Sequence, residues 1–164
     1  MQTDRQTTSM PEHGAPDPGS RTLAMLAADH DRVRQLAEQF QAALEEGAAD
    51  LHALATEICR EIELHSRLEE ELLYPAAARI SELSLLVEQA REDHDGLHEL
   101  IGEIRDLRPD DDQLAGLVLQ LAEEVEEHAG DEEGVLFPEL EQRMAELEQL
   151  GMQMDALKRR LTAR

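Results

Sequence analysis

Apolar residues recur at three- and four-residue steps through four successive stretches of the chain. Residues 21–46 place Leu23, Leu26, Val33, Ala37, Phe40 and Leu44 on one helical face, and residues 51–79 do the same with Leu51, Leu54, Ile58, Ile62, Leu72 and Ala76. A third stripe starts after a turn near Ser81 with Leu83, Val87, Ala90, Leu97, Ile101 and Ile104. The fourth opens near Asp112 with Leu114, Leu117, Leu121, Val125 and Val135. Ser20 and Asp50 are suited to cap the first two helices, Gly47 to end the first, and "RPDDD" at 108–112 to break the third. No alternating strand pattern occurs. The pattern predicts an all-α fold, an up-down-up-down four-helix bundle.

A fifth stripe (Leu140, Met144, Leu147, Leu150, Met154, Leu157, Leu161) adds a C-terminal amphipathic helix, with Gly151 expected to interrupt it without ending the pattern. This segment either folds back on the bundle or zips to a second copy as a homodimer. Residues 1–19 are rich in Pro, Gly and polar residues and are expected to be a disordered leader. The expected division is thus 1–19 leader, 20–142 bundle and 143–164 helical extension.

Composition narrows the function classes. With 15 basic against 38 acidic residues the formal net charge is −23, which repels nucleic-acid phosphates and anionic membranes. The sole cysteine, Cys59, excludes an intramolecular disulfide and reads as inert packing. No apolar run is long enough to span a membrane, and the expected location is cytoplasmic.

What disturbs the pattern is polar residues on the apolar stripes. His30, His65, His94 and His128 each sit near the middle of one, and two stripes add Glu69 and Glu132. A polar group aimed at a core needs a partner. Residues four apart lie about 40° apart on a helix, so His65 with Glu69, His94 with His98, and His128 with Glu132 are two-pronged pairs. The pairs belong to a repeat. "ELHSRLEEELLYP" (63–75) and "EEHAGDEEGVLFP" (126–138) agree at six of thirteen positions, and "DHD" recurs at 29–31 and 93–95. The chain therefore reads as a duplicated helix pair. Five imidazoles and two carboxylates converging in a bundle core make sense as ligands of two transition-metal ions. On that count His94, His98 and His128 serve one metal, while His30 and His65 serve the other, because Arg34 stands where His98 does in the second half. Glu69 and Glu132 would bridge, leaving one open position on the two-histidine metal for dioxygen, nitric oxide or peroxide.

His30, "HSRLE" at 65–69, "HDGLH" at 94–98 and "HAGDE" at 128–132 together resemble the hemerythrin-like, or HHE cation-binding, family over roughly residues 21–140. The resemblance implies a non-haem di-iron site, oxo- or hydroxo-bridged, that binds oxygen or related small ligands for sensing, storage or stress response. Manganese or zinc would also suit such ligands. Respiratory members place an aspartate five residues after the last ligand histidine. Glu132 stands four after His128, as in the broader bacterial group, which is also linked to peroxide and nitric-oxide chemistry and iron-centre repair. A binding protein is the favoured reading, and an enzyme turning over peroxide or nitric oxide is the alternative.

Other residues receive blander readings. Tyr74 and Phe137 lie nine residues beyond His65 and His128, about 180° around a regular helix, and are expected to pack away from the metals. Glu70 and Glu133 are expected on the solvated face. Pro75 and Pro138 should kink or end their helices. Arg34 either salt-bridges locally or stands near the open position. His13 and His52 lie away from the midlevel. "HDGLH" departs from the zinc-peptidase pattern at Asp95, and the Glu-x-x-His pairs of ferritin-like proteins are absent.

Overall fold

The computed structural model describes residues 18–48 and 50–163. The expected leader at 1–19 falls almost wholly outside them. Helix α1 (Pro18–Glu45) opens at Pro18, so Ser20 lies in its first turn rather than capping it. A proline suits that place because a first-turn N–H has no helical partner to lose. Gly47, at φ 68°, ends α1: Ala48 N–H donates to Ala43 O (2.9 Å) and Gly47 N–H to Leu44 O (3.1 Å). Helix α2 (Leu51–Leu68) is capped by Asp50, whose side chain accepts from Ala53 N–H at 3.2 Å.

Beyond Leu68 the helix widens into a π turn, Glu69–Leu73, before the short α3 (Tyr74–Ala77). A 3-10 turn (Ser81–Leu83) leads to α4 (Ser84–Asp106), and α5 (Leu114–Asp131) follows. The second half repeats the device: a π turn at Glu132–Leu136, then α6 (Phe137–Arg143). Each π turn immediately precedes the proline pair. A proline ring clashes with the carbonyl four residues back and offers no N–H, and one extra residue in the turn relieves both. Tyr74 N–H accordingly donates to Glu69 O, and Phe137 N–H to Glu132 O, five residues back.

Helices α1, α2, α4 and α5 form a ring in which each packs on two neighbours. The fold is the expected all-helical bundle, with no strand among the described residues. Helix α7 (Leu147–Thr162) folds back on α1 and α2. Its Leu147, Leu150, Met154 and Leu157 are buried in the same apolar cluster as Leu26, Leu68 and Tyr74. Burying such side chains is worth roughly 1.5–3 kcal/mol each in transfer free energy, so α7 acts as a fifth helix of the core. Gly151 does not interrupt it. It permits close approach instead, since a Cβ there would collide with the Thr22 hydroxyl of α1. Thr22 Oγ1 meanwhile donates to Leu147 O at 2.8 Å.

The core divides into two apolar clusters at opposite ends. One contains Leu26, Leu68, Leu73, Leu136 and Met154; the other contains Val33, Ile62, Leu97, Leu121 and Val125. On every bundle helix the two clusters are separated by a histidine. The polar layer lies there.

Candidate metal centre

His30, His65, His94 and His128 turn their Nε2 atoms towards one another, and each side chain is no more than 7% exposed. They form two couples. His30 and His65 Nε2 lie 2.9 Å apart, as do His94 and His128 Nε2 at 3.1 Å. Two carboxylates stand between the couples. Glu69 Oε2 is 3.2 Å from His65 Nε2 and 3.3 Å from His94 Nε2; Glu132 Oε2 is 3.4 Å from His30 Nε2 and 3.5 Å from His128 Nε2. Each carboxylate therefore touches one imidazole of each couple, as a bridging ligand would. Six of the seven residues singled out from the sequence come together.

His98 does not join them. Its imidazole is 38% exposed and donates through Nε2 to Glu70 Oε1 at 2.8 Å. The chain's internal symmetry explains this: His98 occupies the place of Arg34, which donates to Glu133 Oε1 at 3.2 Å in the other half. Arg34 takes the local role, pairing also with Asp31 (2.8 Å) and Glu126 (2.6 Å).

A second ring of carboxylates fixes the imidazoles from behind. His30 Nδ1–H donates to Glu133 and His94 Nδ1–H to Glu70, both at 2.8 Å, and His128 Nδ1–H to Asp93 at 3.3 Å. His65 Nδ1 faces Asp29 Oδ2 at 3.7 Å. A carboxylate on Nδ1 selects the tautomer whose Nε2 lone pair points inward, the form a metal requires. Glu70 and Glu133 are thus corrections to the sequence reading. They lie off their own apolar stripe, but that flank also meets the neighbouring helix, which leaves them only 36% and 33% exposed.

Tyr74 is the larger correction. Its hydroxyl lies 2.7 Å from Glu132 Oε1 and 3.1 Å from both Glu69 Oε2 and His94 Nε2. The π turn sets all later residues back by about 100°, so Tyr74 stands above Glu69 like a residue four, not five, positions on. Phe137 obeys the same geometry and stacks on the His30 ring, with centroids 6.0 Å apart and planes 5° from parallel. The centre is therefore two-fold in its histidines and glutamates but carries a phenol in one half only.

The electrostatics suit a cation pair. Burial opposes charge on Glu69, yet His65, His128 and His94 outweigh it and hold the carboxyl well below its usual range. Burial likewise opposes protonation of His65 and His94, but Glu69 and the outer acids Asp29 and Glu70 push them up to about 10 and about 9. His128 also moves upward, Glu69 and Glu132 outweighing burial and the neighbouring His94. The buried carboxylates thus favour positive charge beside them. Glu69 Oε1 and Glu132 Oε2 remain buried without a hydrogen-bond partner. Buried orphan acceptors are costly in a fold but are suitable donors to a metal. The residues present fit bound metal.

A pocket of about 200 Å³ reaches this cluster from one side. Leu86, Ala90, Val135 and Leu136 form its apolar wall, and His128, Glu132 and Asp93 its inner end. Counting ligands along the sequence put the open position on the His30–His65 side, because it turned His98 inward. The pocket lies on the opposite side.

Asp29, Asp93, Glu70 and Glu133 recur at identical offsets in the two halves, which was the available signal for them. Tyr74 had none, since a π turn leaves no periodic trace. No helix is long and apolar enough to cross a membrane among the described residues. Comparison with family models matches residues 21–117 and 86–164 to the hemerythrin HHE cation-binding domain. No curated protein and no solved structure gives a match.

Proposed function

The chain belongs to the hemerythrin HHE cation-binding family, and from that premise we propose that it is a non-haem di-iron protein that binds dioxygen, nitric oxide or peroxide. His30 and His65 would hold one ion and His94 and His128 the other, with Glu69 and Glu132 shared between them. Tyr74 adds an oxygen donor beside His94. Iron on such a donor set supplies a redox couple and affinity for small oxygen- and nitrogen-centred ligands. The observation that carries this reading is the convergence of four inward Nε2 atoms on two buried carboxylates with orphaned oxygens.

The protein's own residues do the rest. Glu70, Glu133 and Asp93 hold the His94, His30 and His128 rings in the binding tautomer. Leu86, Ala90, Val135 and Leu136 line an apolar approach with room for a diatomic molecule or peroxide, and an apolar wall disfavours charge separation and slows escape of a charged product. Asp93 and Asp131 also line this approach and place carboxylates beside its inner end.

Anaerobic loading with ferrous iron tests the reading. Two irons per chain are expected by elemental analysis, with a visible absorption change on exposure to air or nitric oxide. His65→Ala should lose at least one iron. Sustained oxygen evolution after added peroxide would favour the enzyme reading, and loading unaffected by His65→Ala would remove the site.

A further inference from the structure

The internal two-fold is broken at its outer carboxylates, and in one consistent sense. In the first half, Asp29 behind His65 is paired with Lys158, and Glu133 behind His30 is paired with Arg34. In the second half, Asp93 behind His128 meets only the Gln89 amide at 2.9 Å, and Glu70 behind His94 meets His98. Among the described residues neither Asp93 nor Glu70 pairs with a lysine or arginine. Lys158 comes from α7, which packs on α1 and α2 and has no counterpart in the second half. The C-terminal helix therefore destroys the electrostatic symmetry of a duplicated site.

We infer that the centre comprises two unequal cation seats, and that Lys158 and Arg34 are positioning residues that weaken the His30–His65 seat relative to the His94–His128 seat. This rests on the metal reading above. A carboxylate accepting from Nδ1–H makes the imidazole a stronger donor through Nε2. Asp29 is instead engaged by Lys158 and stands 3.7 Å from His65 Nδ1 with no hydrogen bond between them, so His65 lacks that support. Asp29 and Lys158 are only 18% and 28% exposed, so solvent screens the pair poorly. Lys158 is set against Asp29, and Arg34 reaches Glu133 while also serving Asp31 and Glu126, whereas Asp93 and Glu70 have neither a lysine nor an arginine partner among the described residues. The first divalent ion settles between His94 and His128, and the second binds His30 and His65 more weakly.

Titration of the metal-free full chain with cobalt(II), followed by calorimetry and visible absorption, tests this. Two resolved steps, about ten-fold or more apart in affinity, are expected, in line with what outer carboxylates contribute to metal binding. Lys158→Met should strengthen the weaker step on the order of ten-fold and leave the tighter one in place, and Lys158→Arg should restore the gap. Should circular dichroism show Lys158→Met unfolded, Asp93→Asn reads the other seat and should weaken the tighter step. Two indistinguishable steps in the native protein, or an unchanged gap in a folded Lys158→Met or Asp93→Asn variant, would overturn the inference while leaving the metal reading intact. Absence of any two-equivalent binding would overturn both.

Discussion

Replacing Tyr74 by Phe removes one oxygen from the middle of the centre and nothing else. The ring is completely buried, and its hydroxyl donates to Glu132 Oε1 at 2.7 Å while lying 3.1 Å from Glu69 Oε2. Phe137 fills the equivalent place in the other half, so a ring without a hydroxyl is sterically acceptable at that point of the repeat. The cost should therefore be that of a hydrogen bond to a charged acceptor, about 1.5–3 kcal/mol, with Glu132 left short of a partner. At roughly 2–4 °C per kcal/mol for a domain of this size, thermal unfolding of the metal-free protein should fall by about 3–12 °C. The assay is a circular-dichroism melt in excess chelator, with denaturant titration giving the free energy directly. Metal loading should survive, because four imidazoles and both bridging carboxylates remain. A melting point unchanged or raised by the substitution would show that imidazole protons alone satisfy Glu69 and Glu132, and would refute the role given to the phenol.

Three further outcomes follow from other parts of the fold. Gly151→Val should displace α7 from Thr22 and lower stability by about 1–3 kcal/mol, as overpacking does; an unchanged denaturation midpoint would mean that α7 does not sit where described. Gly47→Ala, at φ 68°, should cost about 1 kcal/mol by equilibrium unfolding because a Cβ disfavours the left-handed region, although nothing crowds the site. Burial pushes the Cys59 thiol up to about 11, so a thiol reagent at pH 8 should label the native protein far more slowly than the unfolded chain. The stability linked to that thiol is present below the unfolded value of 9.0 and is lost as pH rises towards about 11, and equal labelling rates would contradict its burial.

Most of the bundle was legible because burial and periodicity carry the same information. Leu26 and Val33 flank His30, and Ala90 and Leu97 flank His94, so a histidine on a stripe had to lie inside the core. What periodicity could not convey was any departure from 100° per residue. The two π turns rotate Tyr74 and Phe137 into the centre, and only Pro75 and Pro138, one residue later in each repeat, hinted that the helix was irregular there. Glu70 and Glu133 show a second limit. An angle measured on one helix separates stripe from flank, but only the packing of a neighbour decides whether a flank meets water.

His98 shows a third limit, and it bears on how the duplicated site acquired its differences. Spacing four residues after His94 makes His98 look like a ligand, yet its structural partner in the repeat is Arg34, and both side chains serve an outer glutamate. The inner donor set is the conservative part of the repeat: His30 answers His94, His65 answers His128, and Glu69 answers Glu132. The differences lie one layer out, in Arg34 against His98 and Lys158 against nothing, and in Tyr74 against Phe137, where a single hydroxyl reaches the centre itself. Two equal ions in a strictly symmetric cradle have no reason to take unequal roles. A small ligand binding at one end, by contrast, needs one ion better exposed or more electron-rich than the other. The pocket opens on the His128 side, where the outer carboxylates lack cationic partners, so exposure and charge point to the same half. That agreement arises because α7 both covers the first half and delivers Lys158 to Asp29. The C-terminal helix thus links the packing of the fold to the chemistry of its centre.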